Sequence, residues 1–266
     1  MSADMDAREL ERYSRQLNLP GWGKPGQEKL KAATVFVAGA GGLGSPACLY
    51  LAAAGVGRLV IADHDKVEMS NLNRQVLHND GRLNSPKAAS AAATIRALNP
   101  QVEVVAMGEE ITNGNVDRLA AGASILLDCL DDFPSRYVLN RCALRMRVPM
   151  VHAAISGMEG HLLFIRPGET ACLRCVFRDG PSRGVFPVLG AVPGVMGSME
   201  ALEALKYLTG TGGPQGGSML IFDGATGEFR RMTVARDPKC PDCGVGGPTF
   251  RVSEGGNPAG PSSARV

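Results

Sequence analysis

The stretch Thr34-Val35-Phe36-Val37-Ala38-Gly39-Ala40-Gly41-Gly42-Leu43-Gly44 decides the fold of this chain. Its first half is apolar, which is typical of a buried strand, and its second half matches the turn pattern G-x-G-x-x-G. A helix-forming segment, 45–54, follows, and then a second apolar strand, 58–62, which ends at Asp63. Strand, glycine-rich turn, helix and strand together predict a βαβ unit. Because the first N–H groups of a helix lack partners, we expect this turn to bind an anion.

The residues around this turn fit a nucleotide. The candidate binding glycines are Gly39, Gly41, Gly42 and Gly44. Asp63 lies where an acidic residue takes the ribose hydroxyls of a dinucleotide. The pattern alone does not distinguish NAD, FAD and ATP, so the residues beyond the second strand must decide between them.

A polar loop follows Asp63 and favours a triphosphate. It contains Asp65 and the run Ser70-Asn71-Leu72-Asn73-Arg74-Gln75, which carries one guanidinium and several amides. A dehydrogenase has no need of an arginine beside its diphosphate. An enzyme that splits a triphosphate does need one, because charge builds on the phosphoryl oxygens during displacement.

Lys87 is a second candidate phosphate ligand. The segment from Ser85 to Leu98 predicts a helix, with Ser85 as N-cap and Pro86 in the first turn. Lys87 then lies in the first turn, where the helix dipole disfavours a cation. A residue placed against local preference often has a functional reason. An ordinary surface lysine is the alternative.

Asp131 is the candidate magnesium ligand. The apolar run 124–127 predicts a buried parallel strand, and Asp128, Asp131 and Asp132 follow at its end. Carboxylates at the carboxyl end of a central strand lie over the nucleotide crevice of an open α/β sheet. Carboxylate oxygens are the ligands that Mg²⁺ takes beside substrate phosphates.

Four of the seven cysteines form two C-x-x-C pairs, Cys172 with Cys175 and Cys240 with Cys243. Two such pairs predict a four-thiolate zinc site, which is structural because no coordination position stays open. A redox role would need the motif to open a helix in a thioredoxin-type unit. The scattered cysteines, Cys48, Cys129 and Cys142, are interpreted as small buried side chains.

This combination of motifs resembles the adenylation domain of the ubiquitin-activating superfamily. Within it, residues 9–243 are most similar to the bacterial adenylyltransferases that activate sulfur-carrier proteins, the MoeB/ThiF/HesA group. The resemblance implies that Arg74 and Lys87 hold the phosphates of ATP, that Asn71 contacts an oxygen near the reacting centre and that Asp131 handles Mg²⁺. It also implies a homodimer in which Arg15, from the segment Arg12-Tyr13-Ser14-Arg15-Gln16, reaches the neighbouring subunit's triphosphate.

The resemblance implies a reaction and its partners. It implies that the enzyme adenylates the C-terminal carboxylate of a small ubiquitin-like sulfur-carrier protein that ends in Gly-Gly, and that pyrophosphate leaves. Many relatives carry a cysteine on the loop before the helix at 194–208, but this chain has none between Cys175 and Cys240. Chemistry is therefore expected to stop at the adenylate, with a separate sulfurtransferase or cysteine desulfurase supplying sulfur. Asp132 stands at a position where these relatives usually have an asparagine. The pathway, molybdopterin, thiamine or another, stays open.

Two other functions are weighed. A nicotinamide-dependent oxidoreductase explains the glycine turn and Asp63, but it gives no joint purpose to Arg74, Asp131 and the cysteine pairs. A non-catalytic scaffold that binds a ubiquitin-like partner would be expected to have lost its phosphate ligands, which are intact here.

The alternating pattern predicts an α/β fold, a Rossmann-like mainly parallel sheet with helices on both faces and an antiparallel extension. We expect a helical arm at 1–33, a nucleotide-binding half at 34–157, a carrier-binding half of the same domain at 158–243 and a disordered tail at 244–266. With 266 residues, a net charge of +2 and no long basic run, the chain is not expected to bind nucleic acid. No apolar run reaches the ~18 residues of a membrane helix, so a cytoplasmic protein is expected.

Overall fold

One mixed sheet of eight strands organises the protein. The computed structural model describes residues 5–180, 187–214 and 216–244. The tail predicted to be disordered lies almost entirely outside these residues, as do residues 181–186 of the loop that lacks a cysteine. The strands run in the order β3-β2-β1-β4-β5-β6-β7-β8. They are β1 (Thr34–Ala38), β2 (Arg58–Ala62), β3 (Glu103–Met107), β4 (Ile125–Asp128), β5 (Met150–Ser156), β6 (Glu159–Ile165), β7 (Ser218–Asp223) and β8 (Glu228–Thr233).

Nine α-helices accompany the sheet in the described part of the chain. They are α1 (Ala7–Arg12), α2 (Ser14–Leu17), α3 (Gly23–Ala32), α4 (Gly44–Ala54), α5 (Lys87–Leu98), α6 (Val116–Leu119), α7 (Phe133–Met146), α8 (Leu173–Val176) and α9 (Ala191–Thr209). Two short 3₁₀ turns, Met69–Asn71 and Asp80–Arg82, lie between β2 and α5. None of the helices in these described ranges is long and apolar enough to cross a membrane.

The predicted parallel sheet is confirmed. The strands β1 to β5 pair in parallel, and the strands predicted at 34–38, 58–62 and 124–127 share this sheet. From β5 onward the neighbouring strands pair in antiparallel fashion, which confirms the predicted extension. Since β5 belongs to both parts, the two predicted halves are continuous through one sheet.

Alternation along the central strands builds two cores. Val35 and Val37 of β1 face one side, where α4, α5 and α9 cover the sheet. Phe36 and Ala38 face the other side, where α6 and α7 pack together with the cysteine pairs. A strand buried on both faces reads as a continuous apolar run, which is why the sequence revealed these strands clearly.

The large apolar side chains of α9 do not all face the core. Met196 is fully buried, but Leu202 is 47% exposed, whereas Glu200 is buried completely. The core side of this helix follows small residues instead. A Cβ atom on Gly197 would lie 2.1 Å from the carbonyl oxygen of Leu43, so α9 lies directly against the start of α4. Close contact between the two helices therefore outweighs hydrophobicity in setting the orientation of α9.

Residues 5–33 contain three helices, and one N-cap prediction is wrong. The first two helices, α1 and α2, meet at Tyr13, whose buried phenol accepts a hydrogen bond from Asn99 Nδ2 at 2.9 Å. The third, α3, begins at Gly23, inside the glycine- and proline-rich segment 20–26. Ser85 is not the N-cap of α5; Pro86 occupies that position, and no side chain caps the helix.

Candidate active site

A cavity of about 680 Å³ opens at the carboxyl ends of the parallel strands and continues over the antiparallel part of the sheet. Its location agrees with the rule that open α/β sheets bind ligands beyond the carboxyl ends of their strands. The sequence-predicted residues that line it are Gly39, Gly41, Gly42, Asp63, Asp65, Arg74, Gln75, Lys87 and Asp131. The structure therefore brings together most of the predicted nucleotide ligands.

The glycine turn is shaped by close backbone contacts. Gly39 has a φ of +97°, and a Cβ atom there would lie 2.7 Å from the carbonyl oxygen of Cys129. A Cβ atom on Gly44 would lie 2.0 Å from the carbonyl oxygen of Gly39, so the turn closes on itself only with glycine at both ends. Gly41, by contrast, lines the open cavity. No side chain caps α4, but its Ser45 N–H donates to the Gly41 carbonyl oxygen at 2.9 Å and Pro46 has no N–H. The backbone donors for an anion are therefore the N–H of Gly44 and those of the glycine turn.

Asp63 fixes the turn from the neighbouring strand. Its Oδ2 accepts a hydrogen bond from the Ala40 N–H at 2.8 Å, and its Oδ1 accepts one from the Asp65 N–H at 2.9 Å. The carboxylate thus joins the turn after β1 to the loop after β2. It is partly exposed to the cavity, so it also has room to contact a ligand.

Lys87 begins α5 and is held in an ion pair. Its Nζ lies 2.8 Å from Asp65 Oδ2, and its side chain is 8% exposed whereas that of Asp65 is 53% exposed. Burial acts to raise the pKa of Asp65, but the hydrogen bond and the charge of Lys87 outweigh it and lower that pKa. Lys87 is therefore a buried cation with one face toward the cavity, and the surface-lysine interpretation is wrong.

Arg74 is positioned by the loop that carries it. Its Nη1 donates hydrogen bonds to the Ser70 carbonyl and to Asn73 Oδ1, both at 3.0 Å. The neighbouring Gln75 is buried, and its Oε1 is a buried acceptor that has no hydrogen-bond partner among the described residues. An orphaned buried polar atom beside a cavity is a sign that a ligand or water belongs there.

His78 is a structural residue of the site that sequence reasoning missed. One ring nitrogen lies 2.9 Å from the Ala40 carbonyl oxygen, and the other lies 2.9 Å from the Ser90 hydroxyl. The ring therefore connects the glycine turn to α5. Burial is the main cause that lowers the pKa of His78, which favours the uncharged ring. A lone histidine in a polar loop carries no periodic pattern, so nothing in the sequence marks this role.

The three aspartates at the end of β4 and just after it, Asp128, Asp131 and Asp132, have different environments. Asp131 is exposed and lines the cavity, as predicted for a metal ligand. Asp132 caps α7 by accepting a hydrogen bond from the Ser135 N–H at 3.0 Å. Asp128 does not lie over the crevice, because it is fully buried and bonds His152. The prediction that all strand-end carboxylates face the nucleotide is therefore wrong for Asp128.

Four predicted residues lie outside the cavity lining: Arg15, Gly44, Ser70 and Asn71. Gly44 is buried within the turn, and Asn71 accepts a hydrogen bond from the Glu68 N–H at 3.1 Å, so both shape loops that reach the cavity. Arg15 is exposed on α2. Its neighbour Gln16 anchors this arm by donating to the Ala54 carbonyl oxygen at 2.7 Å.

A chain of buried polar groups extends from Asp128 to the far end of the cavity. Asp128 Oδ2 lies 2.7 Å from His152 Nδ1, and His152 Nε2 lies 3.2 Å from His161 Nε2. Asp128 and His152 are fully buried, whereas His161 lines the cavity. The sequence did not suggest this chain, because its members lie on three strands and meet only through the sheet register.

The four paired cysteines form the predicted cluster, on the face of the sheet that α7 covers. Their sulfur atoms all lie within 4.8 Å of one another, and adjacent pairs lie 3.3 to 3.8 Å apart. Four thiolates around a zinc ion at about 2.3 Å would be separated by about 3.8 Å, so the arrangement fits that metal. Hydrogen bonds from the Cys172 thiol and the Asp237 N–H lower the pKa of Cys175 to about 4 despite burial.

Asn140 of α7 joins the two cysteine segments. Its Oδ1 accepts a hydrogen bond from the Leu173 N–H at 3.0 Å, and its Nδ2 donates to Asp242 at 2.9 Å. The side chain is fully buried. One residue therefore bonds both C-x-x-C segments, the first through its backbone and the second through the Asp242 side chain.

The scattered cysteines are buried, as predicted. Burial is the largest cause that raises the pKa of Cys48 and Cys129, and it raises that of Cys142 to about 12. The nucleophile of cysteine chemistry is the thiolate. These three thiols are therefore poor nucleophiles.

A model of the ThiF family matches residues 13–242. This chain belongs to the ThiF family. It is similar to the sulfur carrier protein adenylyltransferase of Thermus thermophilus, with 43% identity over 247 residues that cover 89% of this chain and 91% of that protein. It is also similar to the SAMP-activating enzyme E1 of Haloferax volcanii, with 42% identity over 253 residues that cover 93% of each. The resemblance predicted from the sequence is confirmed.

Solved structures agree on the fold of this ThiF-family protein. The structure of E. coli MccB with ATP superposes with a TM-score of 0.76 at 22% identity, over 88% of this chain and 74% of that one. At this identity the likeness concerns the fold alone. Neither of the two relatives named above is an oxidoreductase, so they give that alternative no support.

Proposed function

We propose that this protein adenylates the C-terminal carboxylate of a small ubiquitin-like sulfur-carrier protein, using ATP and releasing pyrophosphate. The observation that carries this proposal is the single cavity that joins the glycine turn to Lys87, Arg74 and Asp131. Backbone donors, two cations and one carboxylate around one space suit a magnesium-bound triphosphate. An oxidoreductase has no use for this set. Family membership and the names of the two relatives support the same reaction.

The reaction needs no general base. A C-terminal carboxylate is ionised at neutral pH, so it attacks the α-phosphorus of ATP directly. A bond forms between the carboxylate oxygen and that phosphorus, and the bond to the bridging oxygen of pyrophosphate breaks. Catalysis then depends on alignment and on neutralising the charge that moves to the leaving oxygens. Lys87 and Arg74 are the cations placed for this, and Asp63 holds the ribose.

Two metals fit the residues present. Asp131 would hold Mg²⁺ beside the triphosphate, where the ion supplies charge neutralisation to phosphate oxygens. The cluster of Cys172, Cys175, Cys240 and Cys243 would hold a structural zinc ion, which connects the end of the described chain to α8. We propose a cytoplasmic location, where thiols stay reduced and can bind zinc.

Arg15 is proposed to act across a homodimer. It is exposed, lies outside the cavity of its own chain and belongs to an arm that Gln16 and Tyr13 fix to the body. A fixed arm presents the guanidinium at one place on the surface, as an arginine supplied to a neighbouring subunit's triphosphate would require.

The adenylate is proposed to leave without an enzyme-linked intermediate. No cysteine lies between Cys175 and Cys240, and the remaining unpaired thiols are buried with raised pKa values. A separate sulfurtransferase or cysteine desulfurase then supplies the sulfur, in a molybdopterin-, thiamine- or related pathway.

Two measurements test this function. The melting temperature should rise with ATP and Mg²⁺ but not with NADH, because only a triphosphate uses the cations of the cavity. Pyrophosphate should then be released from ATP only when a carrier protein ending in Gly-Gly is added. A rise with NADH alone, or pyrophosphate release that ignores the carrier, would contradict the proposal.

A further inference from the structure

The cavity has a second part that the nucleotide does not need. From β5 onward it is lined by apolar side chains, including Ile155, Phe177, Met219 and Ile221, and by His161. β6, which carries His161, lies three strand positions from β1 and the glycine turn. At about 4.8 Å per position this is roughly 14 Å. An extended peptide of about four residues spans that distance, so this part of the cavity fits a chain end that reaches toward the phosphates.

The buried polar chain fixes which hydrogen bonds His161 makes. The Asp128 carboxylate accepts a hydrogen bond, so His152 Nδ1 carries the proton and donates it across the 2.7 Å that separates the two atoms. An uncharged His152 then has a lone pair on Nε2. Two ring nitrogens 3.2 Å apart form a hydrogen bond only if one carries a proton, so His161 Nε2 must be the donor. This leaves the Nδ1 of an uncharged His161 as an acceptor.

The surroundings keep both rings uncharged. Burial is the largest cause that lowers the pKa of His152, against the opposing hydrogen bond from Asp128. Burial, His152 and the charge of Arg136 together lower the pKa of His161 to about 3. The ring of His161 also packs against Phe177, with centroids 5.0 Å apart. In the part of the chain that the structure describes, no hydrogen bond to His161 Nδ1 is formed.

We infer that His161 Nδ1 accepts a hydrogen bond from a backbone N–H in the last four residues of the carrier protein, and so positions its tail for adenylation. A ring nitrogen that accepts a hydrogen bond does not bind phosphate or the reacting carboxylate, because these ionised groups offer only acceptor oxygens. The ribose, proposed to bind Asp63 just after β2, would lie a further strand away and so out of reach. A peptide N–H is the remaining donor. This inference rests on the proposed function, since it names the contact by which that substrate is held.

Two variants of one residue separate hydrogen bonding from shape. His161→Asn retains an oxygen acceptor near the place of Nδ1, whereas His161→Gln retains a polar group near Nε2 and removes the Nδ1 acceptor. We expect His161→Gln to raise the KM for the carrier roughly threefold to tenfold, the worth of one neutral hydrogen bond. The KM for ATP and kcat should stay near the parent values. His161→Asn should restore most of the carrier KM.

The matching change on the substrate completes the test. The probe is a semisynthetic carrier ending in Gly-Gly, in which an ester replaces one amide N–H in the last four residues. One of these esters should raise the carrier KM with the parent enzyme but not with His161→Gln. If every ester acts equally on both enzymes, or if His161→Gln leaves the carrier KM unchanged, the inference is overturned while the adenylation function stands.

A measurement on the parent protein covers the case in which a variant does not fold. Nitrogen-15 NMR of the imidazoles should show His161 as the Nε2–H tautomer, and its Nδ1 signal should shift when the carrier binds. A protonated Nδ1, or a signal that the carrier does not move, would overturn the inference. Absence of any carrier-dependent pyrophosphate release by the parent would instead overturn the proposed function, and the inference with it.

Discussion

Lys87 Nζ lies 2.8 Å from the carboxylate of Asp65 although Lys87 begins a helix, where the dipole disfavours a cation. The ion pair offsets this cost in the state without ligand. Lys87 is nearly buried and lines the cavity, so its ammonium group is placed to pair with a triphosphate as well as with Asp65. The contact between these two residues thus places a cation where the local structure alone would not.

We expect Lys87→Met to lower carrier-dependent pyrophosphate release by roughly a hundredfold, the usual effect of losing one preorganised charge donor. Lys66→Met is the matched control, because Lys66 lies on the same loop as Asp65 but is exposed and does not line the cavity. Initial rates at saturating ATP and carrier make the comparison. Equal losses in both variants would show that Lys87 has no special contact with the phosphates.

Cys240→Ser should lose the metal and lower the melting temperature, because a four-thiolate site rarely holds zinc with three thiols and a hydroxyl. Elemental analysis and thermal unfolding of the same sample check both effects. Cys142→Ala is the control, since Cys142 is buried outside the cluster. Stoichiometric zinc in Cys240→Ser would exclude Cys240 as an essential ligand.

Mixing Arg15→Ala with Asp131→Ala should restore part of the activity that each variant lacks. If Arg15 acts across the dimer, one site of the mixed dimer receives an intact Arg15 from one chain and an intact Asp131 from the other. Subunit exchange must be demonstrated first, for example with differently tagged chains. No recovery after proven exchange would mean that Arg15 acts in its own chain or takes no part.

The parts of the site that the sequence predicted are those with local signatures. The glycine turn, Asp63 and the cysteine pairs depend on spacing within short segments. The structure places Asp63 beside the turn, and it brings the two cysteine pairs into one cluster. Lys87 was found because it conflicts with the preference of a helix start. In each case the signal lies within a few residues of the group itself.

The parts that were missed depend on contacts between distant segments. His152 and His161 meet only because β5 and β6 pair with a specific register, and Asn140 joins two segments far apart in the chain. The outward position of Leu202 follows from the close approach of α9 to α4 at Gly197. None of these contacts leaves a periodic or local pattern in the amino-acid sequence.

The stability of the protein should depend on His161 in acid. Its pKa is lowered to about 3 in the fold and is about 6.5 in an unfolded chain. Between these values the unfolded state binds the proton and the folded state does not, so stability is full above about pH 6.5 and falls as the pH falls. The expected slope is at most about 1.4 kcal/mol per pH unit.

His161→Phe removes this proton while keeping a ring beside Phe177. Urea unfolding at several pH values between 7 and 4 should therefore show a shallower loss of stability for the variant than for the parent. The zinc ligands and the other histidines titrate in both proteins, so only the difference in slope matters. Identical slopes would show that His161 does not stay uncharged in the fold.

The central claim is that a carboxylate of the carrier protein becomes bonded to the α-phosphorus of ATP. The direct measurement labels the C-terminal carboxylate of a Gly-Gly carrier with oxygen-18 and incubates it with the enzyme, Mg²⁺ and ATP. Hydroxylamine then discharges the product by attacking its carbonyl carbon, and mass spectrometry reads the AMP that is released. The account predicts AMP that carries one labelled oxygen; AMP without label, or ADP as the nucleotide product, would contradict it.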